Sequence, residues 1–297
     1  MTYSIVARCG TTGQLGVAVQ SHFFSAGSVV PWVEPGVGAV ATQATAEVAH
    51  GPGTLAQLRD GHDPAEALRL VLAADPQASV RQLAAVDATG RAAAHTGSEC
   101  IVHAGHVTGD GFSVQANMML DPGVPEAMAT AFAADAGSLA TRLLGALDAA
   151  EAAGGDIRGR QSAALLVMDG SPSSILGHDR LIDVRVDDHG DPLGELRRLT
   201  ELSVVYRAMG DADEALATGD LDGALAVYAD SVARLPQHHE IPFWQAVVLA
   251  GLGRDDEARA AAAPVFARAD GERWRELVRR LPATGVLPDD AAERLLS

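Results

Sequence analysis

The order of strand-like and helix-like segments predicts an α+β domain followed by a small all-helical one. Three observations carry that prediction. The chain opens as a strand–turn–strand, Thr2–Ala7 and Gly16–Gln20 around the turn Gly10-Thr11-Thr12-Gly13. Strands, helices, strands and helices then alternate in blocks, the pattern of helices layered on antiparallel sheets. Beyond Asp191-Pro192 the strand signal disappears. The division is therefore expected at 1–192 and 193–297.

The elements follow in order. Gly36–Gln43 reads as a glycine-rich strand, its glycines suited to a bulge or to a close backbone approach. A helix is expected near Gly53–Asp60. A second starts at Asp63-Pro64, with Asp63 as N-cap and Pro64 at the first helical position. Strands are expected at Val80–Asp87, Ala92–His95, Cys100–His103 and Phe112–Gln115, joined as a meander. Helices follow at Pro125–Ala134 and Ser138–Ala153, the second buried through Leu139, Leu143, Leu144 and Leu147. Gln161–Met168 and Leu181–Val186 complete the strands, and Leu193–Met209 starts the helical part. There, Gly219, Asp222 and Ala224 recur 34 residues later as Gly253, Asp256 and Ala258. That period in a helix-turn-helix context resembles the tetratricopeptide repeat. Leu221, Ala224, Leu225 and Tyr228 should form one buried face.

Composition excludes several functions. Across 297 residues the net charge is −17, which argues against a nucleic-acid backbone or an anionic membrane as partner. Apolar residues make up 47%, without a run long enough to span a bilayer. No basic, apolar leader opens the chain, and the two cysteines, Cys9 and Cys100, allow at most one bridge; a reduced, cytoplasmic protein is expected. All 22 basic residues are arginine. Schiff-base, pyridoxal-phosphate and phosphate-loop lysine chemistry is thereby excluded.

Thr2 is the sharpest candidate for chemistry. With Met1 removed, its hydroxyl and its α-amine would form a nucleophile and a base on one residue. Ser21 and His22 end the second strand as adjacent residues, so they face opposite ways if the strand continues. Asn117, at another strand end, could hydrogen-bond a substrate. Arg158 and Arg160 suit capture of a carboxylate, or a salt bridge to Asp156, Asp187 or Asp188. His103 and His106 could offer two imidazoles to a metal, but no firm third ligand accompanies them, and neither metal nor cofactor is expected.

Thr2–Arg8, Gly16–His22, Val30-Pro31-Trp32, Gly36–Gln43, His95-Thr96-Gly97, Ala104-Gly105-His106, Asn117-Met118, Gly159–Ala164 and Val184–His189 together resemble the DUF1028 family over roughly residues 1–195. That family is grouped with the N-terminal-nucleophile hydrolases, and the resemblance implies a four-layer α/β/β/α sandwich. The first hairpin also looks like the start of a proteasome-type β subunit. By position, Thr2 matches the nucleophile, Gln20-Ser21-His22 the polar triplet, and the Gln43–Ala44 region the oxyanion donor. The chain departs from that pattern at Gln20, which replaces an acid, and in lacking the lysine that tunes the amine. Both departures weigh against proteolysis.

The expected function is hydrolysis of a small-molecule amide, with Thr2, Ser21 and His22 catalytic and Gln43, Asn117, Arg158, Arg160 and Asp187 binding substrate. The alternative is a protein of the same fold without catalysis, binding a small molecule or a protein partner through its helical tail. Self-association is a further expectation.

Overall fold

A computed structural model describes residues 2–175 and 177–297. The chain forms two compact units, one through Ser203 and one over Val204–Ser297. The division falls inside a continuous helix rather than at its start near residue 192.

The first unit contains ten strands and four complete helices among its described residues. Strands β1 (Thr2–Arg8), β2 (Leu15–Ser21), β7 (Gly105–Gly109), β8 (Phe112–Asn117), β9 (Ser162–Met168) and β10 (Arg180–Val186) form one antiparallel sheet, in the order β10-β9-β2-β1-β8-β7. Strands β3 (Pro31–Glu34), β4 (Gly38–Ala44), β5 (Arg81–Asp87) and β6 (Ala92–Thr96) form a second, in chain order. Central position explains why β1 is buried on both faces. Val6, Val17 and Val19 pack against Ala39, Ala41, Ala84 and Val86 of the second sheet. By the two-residue period, Thr2, Ser4 and Ser21 share that inter-sheet face, whereas Tyr3, Ile5 and Gln20 turn away from it.

Helices cover the outer faces. α1 (His50–Arg59) and α2 (Pro64–Ala73) bury Leu55, Leu58, Ala67 and Leu68 against Val40, Leu83 and Ala85 of the four-stranded sheet. Asp63 caps α2 by accepting from the Glu66 N–H at 2.9 Å, with Pro64 behind it. α3 (Val124–Ala134) and α4 (Leu139–Ala152) pack on the six-stranded sheet. The α4 stripe of Leu139, Leu143, Leu144 and Leu147 is buried as its spacing requires.

Two expectations fail. Cys100–His103 is not a strand: Ile101 and Val102 are exposed, and His103 adopts a left-handed conformation with φ 57°. The strand begins at Gly105 instead. There the glycines are tolerated because pairing with β8 supplies the backbone partners, and because the Phe112 ring occupies the space a Cβ on Gly109 would need. The meander also fails, since β5–β6 and β7–β8 are hairpins in different sheets and the chain crosses between sheets after Thr96. The four-residue β3 lies at a sheet edge and opens with Pro31, as an edge strand permits.

α5 (Pro192–Thr218) runs past the unit boundary. The second unit continues with α6 (Leu221–Arg234), α7 (Glu240–Gly251), α8 (Asp255–Phe266), α9 (Gly271–Arg280) and α10 (Asp289–Leu296). Its core is built on Phe243, Val247, Ala258, Val265, Val278 and Leu295. Ala224 and Tyr228 are buried, but Leu221 sits in the first turn of α6 and stays 40% exposed.

Candidate functional site

The site is a polar end to an otherwise apolar space between the sheets. At one end of β1, Thr2 lies opposite Asn117 of β8, and Ser21 of β2 lies opposite Ser162 of β9. The Thr2 hydroxyl donates to Ser21 Oγ at 3.1 Å, both side chains being buried. From the facing sheet, Gln43 Nε2 reaches Thr2 O at 3.4 Å, as does Asn117 Nδ2. Register lines up Gln43, Gln82 and Thr96 across β4, β5 and β6.

These amides form a connected network. Ser4 Oγ donates to Gln43 Oε1 at 2.6 Å and accepts from Gln115 Nε2 at 2.5 Å. Gln82 Oε1 accepts from Gln43 Nε2 at 2.7 Å and Asn117 Nδ2 at 2.9 Å. Gln82 Nε2 in turn donates to Thr96 Oγ1 at 2.9 Å. Thr96 Oγ1 also shares a hydrogen bond with His106 Nδ1 at 2.8 Å. Burial, helped by nearby His95, pushes the His106 imidazole below its ordinary pKa, which favours its neutral form. The network is neutral throughout, so its bonds carry no charge to desolvate.

Backbone strain gathers at the same end. Ala44 and Met118, directly after Gln43 and Asn117, have φ of 67° and 59°. Non-glycine residues in that region cost about 1–3 kcal/mol each and mark sites where the chain is bent for a purpose. A cavity of about 240 Å³ opens beside Thr2. Gln43 joins Thr2 at its polar end, Ala26 and Val30 form buried walls, and Phe23 and Val48 stand at its exposed rim. Ser162 shapes that wall: its hydroxyl donates to Phe23 O at 2.6 Å and accepts from Ala26 N at 3.0 Å.

Thr2, Ser21, Gln43 and Asn117 thus come together. Four other candidates are engaged elsewhere. His22 lies beyond the end of β2; its backbone N–H donates to Asp156 Oδ2 at 3.1 Å, and its buried Nδ1 has no hydrogen-bond partner among the described residues. Arg158 pairs with Asp156 at 3.1 Å. Arg160 pairs with Glu151 at 3.6 Å and Asp191 at 3.3 Å. Asp187 accepts from Ser25 Oγ at 2.6 Å, bracing the segment after β2. Gln20 pairs with Tyr3 on the outward face, so it does not stand beside the Thr2 hydroxyl. Tyr3 there donates to Glu151 at 2.6 Å, and burial followed by that carboxylate drives its phenol pKa far upward.

Gly36 and Gly38 also lie away from Thr2, at the opposite end of β4. Gly36 adopts φ 71° in the β3–β4 turn, and a Cβ on Gly38 would meet Val86 O at 2.6 Å. Among the described residues no group of three or more His, Cys, Asp or Glu could hold a metal ion, and no helix is long and apolar enough to cross a membrane. Gln82, Thr96 and Gln115 join the site beyond the residues expected from the sequence. Their signal was polar residues at alternate positions in strands otherwise buried on both faces.

Fold and site together define a mixed α+β protein of antiparallel sheets with a buried polar end, followed by a helical repeat unit. Residues 2–196 match the model described as a family of unknown function, DUF1028, and the chain belongs to that family. Residues 215–281 match a tetratricopeptide repeat model. The crystal structure of protein SPO2555 from Silicibacter pomeroyi, itself described under DUF1028, is similar at 36% identity. That match covers 68% of this chain and 85% of the other, with a TM-score of 0.62. No curated protein matches the chain.

Proposed function

We propose that the protein is an N-terminal-nucleophile amidohydrolase acting on a C–N bond of a small molecule, with Thr2 as nucleophile. The observation that carries this reading is the placement of Thr2: a buried hydroxyl at the first residue of the central strand, bonded to Ser21 and opening onto a cavity. The stacking of helices outside both sheets supports the four-layer sandwich of that superfamily. Met1 lies outside the described residues, and the reading requires its removal.

The chemistry is then local. The α-amine accepts the Oγ1 proton as Oγ1 attacks the amide carbonyl carbon. The C–N bond breaks, and the amine hands its proton to the departing nitrogen. Water, deprotonated by the same amine, cleaves the Thr2 ester and releases a carboxylic acid. Asn117 and Gln43 hold the Thr2 carbonyl, which fixes the direction of attack.

Mass spectrometry of the native protein and the Thr2→Ala variant test this reading. Loss of Met1 and abolished amide turnover in a folded Thr2→Ala protein are expected; an active protein that retains Met1 would place the nucleophile elsewhere.

One observation favours a second reading, binding without catalysis: Ser21, Gln43 and Asn117, which bond to Thr2, are neutral, and the chain has no lysine to depress the amine pKa. The helical unit offers a place for a partner in that case, a groove of about 640 Å³ lined by Tyr206, Met209, Trp244 and Val247. Turnover by the native protein decides between the two.

A further inference from the structure

Resting on the reading of Thr2 as nucleophile, we infer that the cavity beside it selects the acyl side of the substrate, and that this group is small, apolar and uncharged. The polar atoms nearest the cavity are already committed. Gln43 Oε1 accepts from Ser4, and Gln43 Nε2 donates to Thr2 O, Gln82 Oε1 and Gln115 O. The remaining surface is hydrocarbon, from the buried Ala26 and Val30 to the rim residues Phe23 and Val48. Among the described residues the cavity's lining contains no charged side chain. A carboxylate entering there would shed its water with no cationic side chain to receive it, and it would hold the Thr2 amine in the charged form that cannot act as base.

The two arginine candidates point the same way. Arg158 and Arg160 are held by Asp156, Glu151 and Asp191, and none of these residues lines the cavity. Size sets the other limit. About 240 Å³ lies below the roughly 300–1,000 Å³ of sites for drug-sized ligands, so one branched aliphatic or single-ring group fills it. The acyl group is the part concerned because it is joined to Thr2 Oγ1 between the two half-reactions, after the amine has departed.

Phe23 and Val48 are 56% and 41% exposed, an unusual position for such side chains beside a polar cleft. An acyl group seated between them would cover both. They are therefore the residues to alter, since neither supports the core.

The test uses two amides that share a minimal amine, N-methylisovaleramide and N-methylsuccinamic acid. Binding is measured by calorimetry on the full-length Thr2→Ala protein, and release of methylamine on the native protein. The isovaleramide should bind at least about tenfold more tightly than the succinamic acid, as expected when only one buries a charge. Val48→Asp should weaken isovaleramide binding by a similar factor, whereas Val48→Ile should preserve it; circular dichroism confirms that each variant is folded. Equal binding of the two amides, binding of neither, or no effect of Val48→Asp would overturn the inference. Failure of the two readings is distinguishable. Preference in binding without methylamine release removes the catalytic reading and leaves the apolar cavity standing. Release from both amides at equal rates removes the cavity assignment and leaves Thr2 as nucleophile.

Discussion

At the scale of residues, hydrogen bonds set what each group can do. The two cysteines differ although each is only half-buried. Burial raises the Cys9 thiol pKa, but hydrogen bonds from the Thr12 side chain and the backbone of Thr12 and Thr11 outweigh it, and the net shift is downward. Burial dominates at Cys100 and pushes that thiol up. Because the thiolate is the nucleophile, iodoacetamide at pH 7.5 should modify Cys9 well before Cys100, as peptide mass mapping would show. Asp75 offers a pH test. Arg81 at 2.7 Å, then His50 at 2.8 Å, hold its carboxyl well below the usual carboxylate range. A depressed folded pKa stabilises the fold above the unfolded value of about 3.9, and that contribution fades as pH falls below it. Asp75→Asn should therefore lower Tm at pH 7 and lower it progressively less as the pH drops below about 4. A constant offset across that range would show that the carboxylate charge is not the cause.

At the scale of elements, the buried amides tie the two sheets together. Gln82 of β5 accepts from Gln43 of β4 and Asn117 of β8, so one side chain spans strands in both sheets. Gln82→Leu would leave those donors without that acceptor, at about 1–3 kcal/mol for each unsatisfied group. Chemical denaturation should register a loss of about 2–6 kcal/mol. A loss under about 0.5 kcal/mol, the scatter of ordinary surface changes, would mean the network rearranges freely. The same variant should reduce binding of N-methylisovaleramide, because Gln43, which lines the cavity, would lose a partner that fixes its amide. In the helical unit, the repeated glycines have a matching cause. Gly219 and Gly253 take φ of 87° and 73° immediately after α5 and α7 have ended, and Ala224 and Ala258 are fully buried one turn into the next helices. The 34-residue period thus records a helix stop and a close helix contact, each needing a small residue.

At the scale of the whole molecule, two compact units with separate cores should unfold separately. The helical unit centres on Phe243, which packs against Trp244 and Trp274 at centroid distances of 5.1 and 4.8 Å. Phe243→Ala should cost that unit about 3–5 kcal/mol. Scanning calorimetry should show two transitions, with only one moved by Phe243→Ala. A single transition shifted as a whole would mean the units are thermodynamically one.

Much of the fold was legible in the sequence because local chemistry decides it. Asp63-Pro64 and Ser138 announce helix starts through capping that operates within three residues. The leucine stripe of α4 and the alternation of β1 each need only a period. Thr2 was visible as a candidate for the same reason, since with Met1 removed a hydroxyl and an α-amine would reside on one residue. Only the tertiary structure decided which sheet each hairpin joined, because β5–β6 and β7–β8 look alike locally and differ in distant partners. It also decided the site. Gln43, Gln82 and Gln115 are separated by dozens of residues and meet because two sheets stack in one register. Arg158 and Arg160 carried the right charge for a substrate carboxylate, yet their fate depended on acids at Asp156, Glu151 and Asp191 being within reach. Pairing of charges and amides across such distances is a property of the packed chain, and no spacing along it encodes the outcome.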